Sequence, residues 1–325
     1  IQNRIQSKDA RIRLLLSLSA NLKVTDWLTL QARGNLDYSA DKLRQKFYAS
    51  TATALCGMNG RYIEMDYQET QMYGDVMAMV KKQLNDFTLD VAIGGSINDR
   101  ITNSTRIDSK NASLKYANVF NLANIVMSSS ASIDQKIDAH YQLQSVFATA
   151  QIGYKEGVFL DLTARNDWSS TLAYTKYEKK GFFYPSVGVS FLPDKWVKMP
   201  EWVSFSKLRG AYSIVGNGVP PFITYPVSYV TAGGEILASD AAPFAEMKPE
   251  MTHSVELGME WKFLQHRLGL NLTYYRTDTY EQFFKLPALA GDKYAYRYVN
   301  AGDIRNQGWE ITLDATPVLT PDFTW

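Results

Sequence analysis

Three segments of the chain place an aromatic ring near amide or charged side chains, a combination that can bind polyhydroxylated ligands. Aromatic rings stack on the apolar faces of pyranose rings, and Asn, Asp and Arg side chains satisfy the hydroxyl groups. In a second interpretation the rings pack loops together and Asp167 forms a polar turn with the serines that follow it. The candidate contact residues are Asn166, Asp167 and Trp168; Asn217 and Tyr225; and Tyr298, Asn300, Asp303 and Arg305.

No arrangement of residues indicates bond-making chemistry. The three histidines lack metal-ligand spacing, and the sequence contains no Gly-x-Ser-x-Gly motif. Cys56 is the single cysteine, which excludes a disulfide within the chain and a cysteine metal cluster. Carboxylates at Glu64, Asp66 and Asp292 could hold a structural calcium ion, although they lack EF-hand spacing. We therefore expect no enzymatic activity and no cofactor.

Alternation of apolar and polar side chains runs through most of the chain. From 27 to 38, for example, every second residue is apolar or glycine up to a terminal Tyr, and the residues between them are Thr, Gln, Arg, Asn and Asp. A period of two predicts β-strands. The predicted strands are 12–23, 27–38, 70–82, 86–97, 139–154, 158–168, 182–192, 203–215, 251–263, 267–279 and 306–316, with a twelfth that begins near Asp322.

The connections between these strands alternate in length. Tight turns are predicted near 24–26, 83–85, 155–157 and 264–266, and moderate ones at 193–202 and 317–321. Long loops are predicted at 39–69, 98–138, 169–181, 216–250 and 280–305. A meander with short connections at one end and long connections at the other is typical of outer-membrane barrels, which have short periplasmic turns and long extracellular loops.

Strand length separates a membrane barrel from a β-sandwich. Sandwich strands usually have about five or six residues, whereas eleven tilted residues rise about 25 Å and match the apolar band of a membrane barrel. Aromatic residues such as Trp27, Phe87 and Trp261 lie at strand ends, as in the girdles of such barrels. We therefore predict an all-β fold, a transmembrane antiparallel up-and-down barrel, with residues 1–325 forming part of a single barrel domain.

The polar face of each strand would then line the lumen. A charge on the lipid face costs about 2–4 kcal/mol at mid-depth, and far less in a wet interior. So many charges indicate a wide hydrated lumen, or one paired against a plug. The predicted lumen-facing charges are Arg33, Asp37, Asp161, Arg165, Lys207, Arg209, Glu256, Glu260, Glu310 and Asp314.

Net charge, apolar runs and the first residues of the sequence bear on the partners and the cellular location of the protein. The net charge of +1 gives no reason to expect a nucleic-acid partner. The sequence contains no run of eighteen apolar residues, so we expect no transmembrane helix. The sequence begins at Ile1 without a Met or a signal-like segment, and we expect it to be a piece of a longer outer-membrane protein.

Several segments resemble the SusC/RagA family of TonB-dependent outer-membrane transporters. They are RNDWSSTL at 165–172, FFYPSVGVSF at 182–191, FSKLRGAYSIVGN at 205–217, KPEMTHSVELGMEWKFLQHRLGLNLTYYRTDTYEQF at 248–283 and YVNAGDIRNQGWEITLDATP at 298–317. Their order and spacing match the family over most of 140–325. Residues 1–139 fit the same barrel by their alternation, with NVFNLAN at 118–124 as a further match.

The resemblance implies a barrel of about 22 strands around an N-terminal plug, of which this chain would hold about half, without the plug domain and the terminal strands. It also implies a SusD-like surface lipoprotein as a lid, the TonB-ExbB-ExbD complex as the energy source, and oligosaccharide or peptide substrates. It further implies a Gram-negative, Bacteroidetes-like outer membrane, with lipid around the barrel. Three alternatives stay open: a passive porin-like channel, a surface binding protein that does not transport, and a siderophore or cobalamin transporter of the same wider class.

Overall fold

The computed structural model describes residues 4–110, 114–126, 132–230, 235–323 and Trp325. Eleven strands form one sheet in which each strand is antiparallel to its neighbours and the spatial order follows the chain. These strands are β1 (Ile5–Lys23), β2 (Leu28–Phe47), β3 (Arg61–Leu84), β4 (Phe87–Asp108), β5 (Ser132–Tyr154), β6 (Val158–Ser169), β7 (Phe182–Phe191), β8 (Val203–Asn217), β11 (Glu250–Phe263), β12 (Leu268–Pro287) and β13 (Tyr296–Ala315). The connection from β8 to β11 contains a separate two-stranded ribbon of β9 (Tyr229–Val230) and β10 (Ile236–Leu237).

All eleven strands predicted from the alternation are present, and the predicted short turns join them. At one of these turns Lys155 and Glu156 both have positive φ angles, 47° and 53°, and the Gly157 amide donates to the Tyr154 carbonyl. Two positive φ angles define the type I′ turn, whose twist suits a two-residue hairpin. The turns lie at one end of the strands, which we call the short-turn end. The opposite end of the strands is called the long-loop end.

The register brings like faces of neighbouring strands together. Leu30, Ala78, Ile93 and Ala148 lie side by side across β2 to β5 on what we call the apolar face. On this face Val76 is 63% exposed, Ile93 61% and Leu18 80%. A water-soluble protein does not leave an apolar surface of this extent uncovered. The sheet therefore presents one face to a hydrocarbon environment and the other, the polar face, to water or to polar groups.

Seven strands, β1 and β5 among them, are longer by seven or more residues at the long-loop end than the alternation predicts. β2 continues to Phe47 and β4 to Asp108, while β3 begins at Arg61, so much of the predicted loops 39–69 and 98–138 is strand. β12 and β13 likewise extend through much of the predicted loop 280–305. The alternation fades there because polar residues occupy both faces once a strand leaves the apolar environment. Residues 111–113, 127–131 and 231–234 of the predicted loops lie outside the described residues.

The twelfth strand predicted near Asp322 is not found among the described residues. After β13 the backbone turns, and Val318 and Trp325 exchange amide–carbonyl hydrogen bonds of 3.4 and 2.9 Å. Pro321 lies within this turn and has no amide hydrogen with which to continue a ladder. Thr324 lies outside the described residues.

Aromatic rings pack on one another along the short-turn end, as the girdle prediction requires. The ring centres of Phe87 and Tyr154 lie 4.7 Å apart, and those of Tyr154 and Trp196 lie 5.4 Å apart. At the same end of the sheet, the ring of Trp202 stacks on that of Phe263, with the ring centres 5.6 Å apart. Rings with an apolar body and a polar edge suit the boundary between lipid and water.

Among the described residues, the buried apolar clusters lie in the loops and at the strand ends next to them. One cluster joins Tyr62, Leu114 and Ile125, and a second joins Leu172, Val219 and Met247. The long connections therefore fold into an ordered layer over the long-loop end. In the described ranges no helix has the length and apolar character that a membrane-spanning helix needs.

Candidate functional site at the long-loop end

A cavity of about 360 Å³ opens between the ends of β5, β6, β7 and β8 and the segment that follows β8. Its walls are mainly aromatic and apolar, with polar groups at a few points. This is the usual character of a ligand pocket. We call it the rim cavity. Its lining includes Tyr141, Leu143, Asp167, Ser169, Phe182, Tyr184, Asn217, Val219 and Pro220.

Asp167 supplies the carboxylate of the rim cavity. The register of β5 with β6 places it opposite Ser145, on the polar face. Arg165 donates from Nε to Asp167 Oδ1 at 2.7 Å, and from Nη2 to Ser145 Oγ at 2.7 Å. No described residue donates a hydrogen bond to the second carboxylate oxygen, so it is available to a hydroxyl or an amide of a ligand.

The polar turn proposed for Asp167 forms around the serines that follow it. The Ser169 hydroxyl accepts from the Thr171 amide at 3.3 Å and caps the 3₁₀ turn Ser170–Leu172. Ser170 Oγ accepts from the Gln142 amide at 2.8 Å. Asp167 takes no part in this turn, because its carboxylate points to Arg165. The turn thus fixes the end of β6 and leaves Asp167 beside the rim cavity.

Trp168 and Asn166 lie on the opposite side of the sheet from Asp167. Trp168 is the register partner of Gln144 and lines a groove on the apolar face with Val76, Ile97 and Val146. The residue is 37% exposed. The structure therefore places Trp168 with the girdle aromatics rather than with the rim cavity.

Asn217 and Asn300 make hydrogen bonds that hold the loop layer. Asn217 donates to Glu250 Oε2 at 3.2 Å and also borders the rim cavity. Asn300 accepts from the Lys248 amide at 3.0 Å and donates to the carbonyls of Lys248 and Glu281, at 3.1 and 2.6 Å. Lys248 also donates to the Glu281 carboxylate, and this hydrogen bond raises the pKa of the lysine above its usual value.

The other predicted contact residues spread over the long-loop end. Tyr298 packs against the cluster of Leu172, Val219 and Met247. The rings of Tyr225 and Tyr174 are in contact, with their centres 5.0 Å apart and their planes tilted by 39°, and both residues are exposed. Asp303 is exposed, and among the described residues it has no hydrogen-bond partner. Arg305 lies on the apolar face and donates to Asp278.

Ion pairs across neighbouring strands organise the polar face. Arg33 donates to Asp75, whose side chain is fully buried, with the closest contact at 2.8 Å. Asp37 accepts two bonds from Arg13, at 2.9 and 2.6 Å. Paired guanidinium and carboxylate groups of this kind have fixed geometry. The face is thus strongly polar but largely neutralised.

The remaining predicted charges also occupy polar-face positions. Arg209 donates to Glu256 at 3.2 Å and to Thr273 at 2.8 Å, Gln151 donates to Asp161 at 2.6 Å, and Glu260 pairs with Lys262 at 3.4 Å. Within the described part of the chain, Lys207, Glu310 and Asp314 have no ion pair. Glu64 and Asp66, two of the carboxylates considered for calcium, pair instead with Lys42 and Arg44.

Sequence reasoning missed the aromatic residues of the rim cavity. Tyr184 is the register partner of Arg165, and Tyr141 that of Arg100, so both rings lie on the polar face. The signal was present in FFYPSVGVSF, where Tyr184 shares its parity with Ser186, Gly188 and Ser190. A large ring among small polar side chains marks a wall of a binding site rather than a lipid contact.

A family model described as "TonB dependent receptor-like, beta-barrel" matches residues 2–325. The chain therefore belongs to this family of outer-membrane β-barrels. Within it, the TonB-dependent receptor SusC of Bacteroides thetaiotaomicron is 27% identical over 174 residues, which are 49% of this chain and 17% of that protein. The TonB-dependent receptor P3 of Formosa agariphila is 26% identical over 194 residues, 57% of this chain and 19% of that protein. The matched regions thus span about a fifth of these relatives.

The fold also matches the structure of the RagAB peptide transporter. The TM-score is 0.84 at 18% identity, over 99% of this chain and 36% of that chain. The match to RagAB and the relationship to SusC confirm the resemblance to the SusC/RagA family. The names of these relatives are those of receptors and transporters, which confirms the prediction that the chain is not an enzyme.

Proposed function

We propose that the chain forms about half of the barrel of a SusC-type importer, which moves oligosaccharides or peptides across the outer membrane with energy delivered through TonB. The observation that carries this proposal is the rim cavity, which stands at the long-loop end of a paired polar wall. The solved structure of similar fold is named as a peptide transporter. The plug and the TonB-binding segment would belong to parts of the protein outside this chain.

The chemistry of the rim cavity suits both substrate classes. Tyr141, Phe182 and Tyr184 offer faces on which a pyranose ring or an apolar peptide side chain can stack. Asp167 and Asn217 offer an acceptor and a polar amide, which could bond to a sugar hydroxyl or to a peptide group. Asp167 and Asn217 are therefore the predicted contact residues that we retain for substrate binding.

The polar wall beneath the cavity suits solutes of low net charge. Its arginines are paired with carboxylates on adjacent strands, as in Arg33–Asp75 and Arg209–Glu256. Such pairs create local hydrogen-bonding sites without a strong field of one sign, so they do not select for a highly charged ion. Hydrated sugars or short peptides would exchange hydrogen bonds with the wall as they pass.

A surface lipoprotein would cover the long-loop end and close over the substrate. Exposed apolar side chains at this end support that partner, since they include Met58 and Leu289, both 84% exposed, and Tyr116, 72% exposed. The neighbouring rings of Tyr174 and Tyr225 add an exposed aromatic surface. Aromatic residues and methionine are enriched at protein interfaces. The energy would come from the TonB-ExbB-ExbD complex of the inner membrane.

Uptake in cells tests the proposal directly. We expect cells that carry the intact transporter to accumulate either fluorescein-labelled maltoheptaose or a fluorescein-labelled ten-residue peptide. This accumulation is expected to stop when TonB is removed. Accumulation that persists without TonB would indicate a passive channel. Surface binding of a probe without accumulation would indicate a receptor that does not transport. Either result would overturn the importer proposal.

Two adjacent substitutions test the role of the rim cavity. Asp167→Ala removes the carboxylate at the cavity and is expected to lower probe uptake about tenfold, because a hydrogen bond to a charged group is lost. Trp168→Ala changes the next residue, whose ring lies on the apolar face, and is expected to leave uptake near the native level at equal surface expression. A larger loss for Trp168→Ala than for Asp167→Ala would show that the cavity is not the binding site.

A further inference from the structure

A cluster of polar residues interrupts the apolar face across β11, β12 and β13. His253 is the register partner of Asp278, and Asp278 is the register partner of Arg305. Arg276 lies two residues from Asp278 on the same side of β12. On the same face nearer the short-turn end, these strands carry Leu257, Tyr274 and Trp309 instead.

The depth of the cluster coincides with the boundary of the apolar band. Asp278 lies ten residues beyond the first residue of β12, Leu268. At about 3.3 Å per residue and a tilt near 40°, this distance corresponds to a rise of about 25 Å, the height of the band. Charged side chains at this level cost far less than at the membrane midplane, because they reach the headgroup region. The rings of Tyr274 and Trp309, 5.0 Å apart, lie on the side facing the membrane centre.

One carboxylate orients both arginines. Arg276 donates from Nε to Asp278 Oδ2 at 2.8 Å, and Arg305 donates from Nε to Asp278 Oδ1. In the described part of the chain, no residue accepts a hydrogen bond from the Nη atoms of either arginine. The two side chains are 40% and 55% exposed. The four outer guanidinium nitrogens therefore have no partner among the described residues, and they lie on the outside of the barrel.

We propose that Arg276 and Arg305 bind the phosphate group of an outer-leaflet lipid, whose acyl chains lie along Tyr274 and Trp309. Guanidinium groups match the geometry of phosphate oxygens and can bind them through two parallel hydrogen bonds. The trio of two arginines and one aspartate carries a net charge of +1, which complements an anionic phosphate. Asp278 acts as a positioning residue that holds both guanidinium groups in place.

Lipid binding by the intact transporter tests this site. Purified protein in neutral detergent is titrated with dioleoylphosphatidic acid and, separately, with dioleoylphosphatidylcholine, and bound lipid is counted by native mass spectrometry. We expect phosphatidic acid to bind about tenfold more tightly than phosphatidylcholine. The double variant Arg276→Gln/Arg305→Gln is expected to lose this preference. The control Arg11→Gln/Arg13→Gln removes the same charge from the polar face, where both arginines pair with carboxylates, and should retain it.

Three results would overturn the proposal. The first is equal phosphatidic acid binding by the native protein and the Arg276/Arg305 variant. The second is an equal loss in the Arg11/Arg13 control. The third is displacement of phosphatidic acid by inorganic phosphate at the same concentration, which would indicate a site for a free anion rather than a lipid. If the double variant does not fold, the single variant Arg305→Gln serves in its place.

Discussion

Leu162→Arg is expected to lower the free energy of unfolding by about 2–4 kcal/mol in a bilayer, because it places a charge in the hydrocarbon. Leu162 lies on the apolar face of β6 and is 38% exposed. It is four residues from the short-turn end of its strand, about 10 Å above that end and near the middle of the apolar band. The measurement is a denaturant titration of the intact protein folded in lipid vesicles.

Thr163→Arg provides a control at the same depth on the opposite face. Thr163 is exposed and shares a 2.6 Å hydrogen bond with Ser186. Losing that bond costs at most about 1.5 kcal/mol, and the new guanidinium would lie in water close to Asp161. A smaller effect for Leu162→Arg than for Thr163→Arg would reverse the assignment of the two faces. It would also remove the basis for placing the rim cavity on the inside.

Period-two alternation is a sufficient signal for the strands because each strand separates two different environments. In β6, Leu162 and Thr163 differ in polarity for that reason, and both ends of this strand agree with the prediction to within a residue. In β2 and β3 alternate residues no longer differ in polarity at the long-loop end, because both faces of the sheet are in contact with water there. Cross-strand pairs such as Lys42–Glu64 hold the ladder there, and such pairs cannot be identified before the register is known.

The site was less predictable because its parts come from distant segments. Asp167 and Asn217 are fifty residues apart in sequence and meet only after β6, β7 and β8 have assembled. Parity alone could have separated Asp167 from Trp168, since consecutive strand residues point to opposite faces. The same rule applied to FFYPSVGVSF would have placed Tyr184 with Asp167. The alternation therefore contained more information about the rim cavity than composition did.

Ordered loops at the long-loop end depend on a buried carboxylate that no motif marks. Asp108 is the last residue of β4, and its side chain is 1% exposed. It accepts two hydrogen bonds from Arg61, at 2.8 and 2.7 Å, one from Arg106 at 2.9 Å and one from the Lys110 amide at 2.8 Å. Arg61 also donates to the Leu55 carbonyl at 3.1 Å, so the network connects both strands to the loop after β2.

Asp108→Asn is expected to destabilise this end of the barrel by about 3 kcal/mol, because removing one partner leaves partly buried arginine charges uncompensated. The amide group of Asn would also direct N–H donors at guanidinium donors, which cannot bond to each other. The Ser109 amide bonds to the Tyr62 carbonyl at 3.0 Å, and its hydrogen exchange reports on local opening. We expect this exchange to accelerate about 100-fold.

Asp303→Asn is the matched control, because it makes the same chemical change at an exposed position of β13 without a described partner. Exchange at Ser109 should then stay within about twofold of the native rate, as for surface substitutions that break no contact. Equal protection in Asp108→Asn and native protein would show that the apolar cluster of Tyr62, Leu114 and Ile125 holds the loops by itself. If instead exchange accelerates as expected, charge pairing and apolar packing act together to keep the loop layer ordered above the lumen.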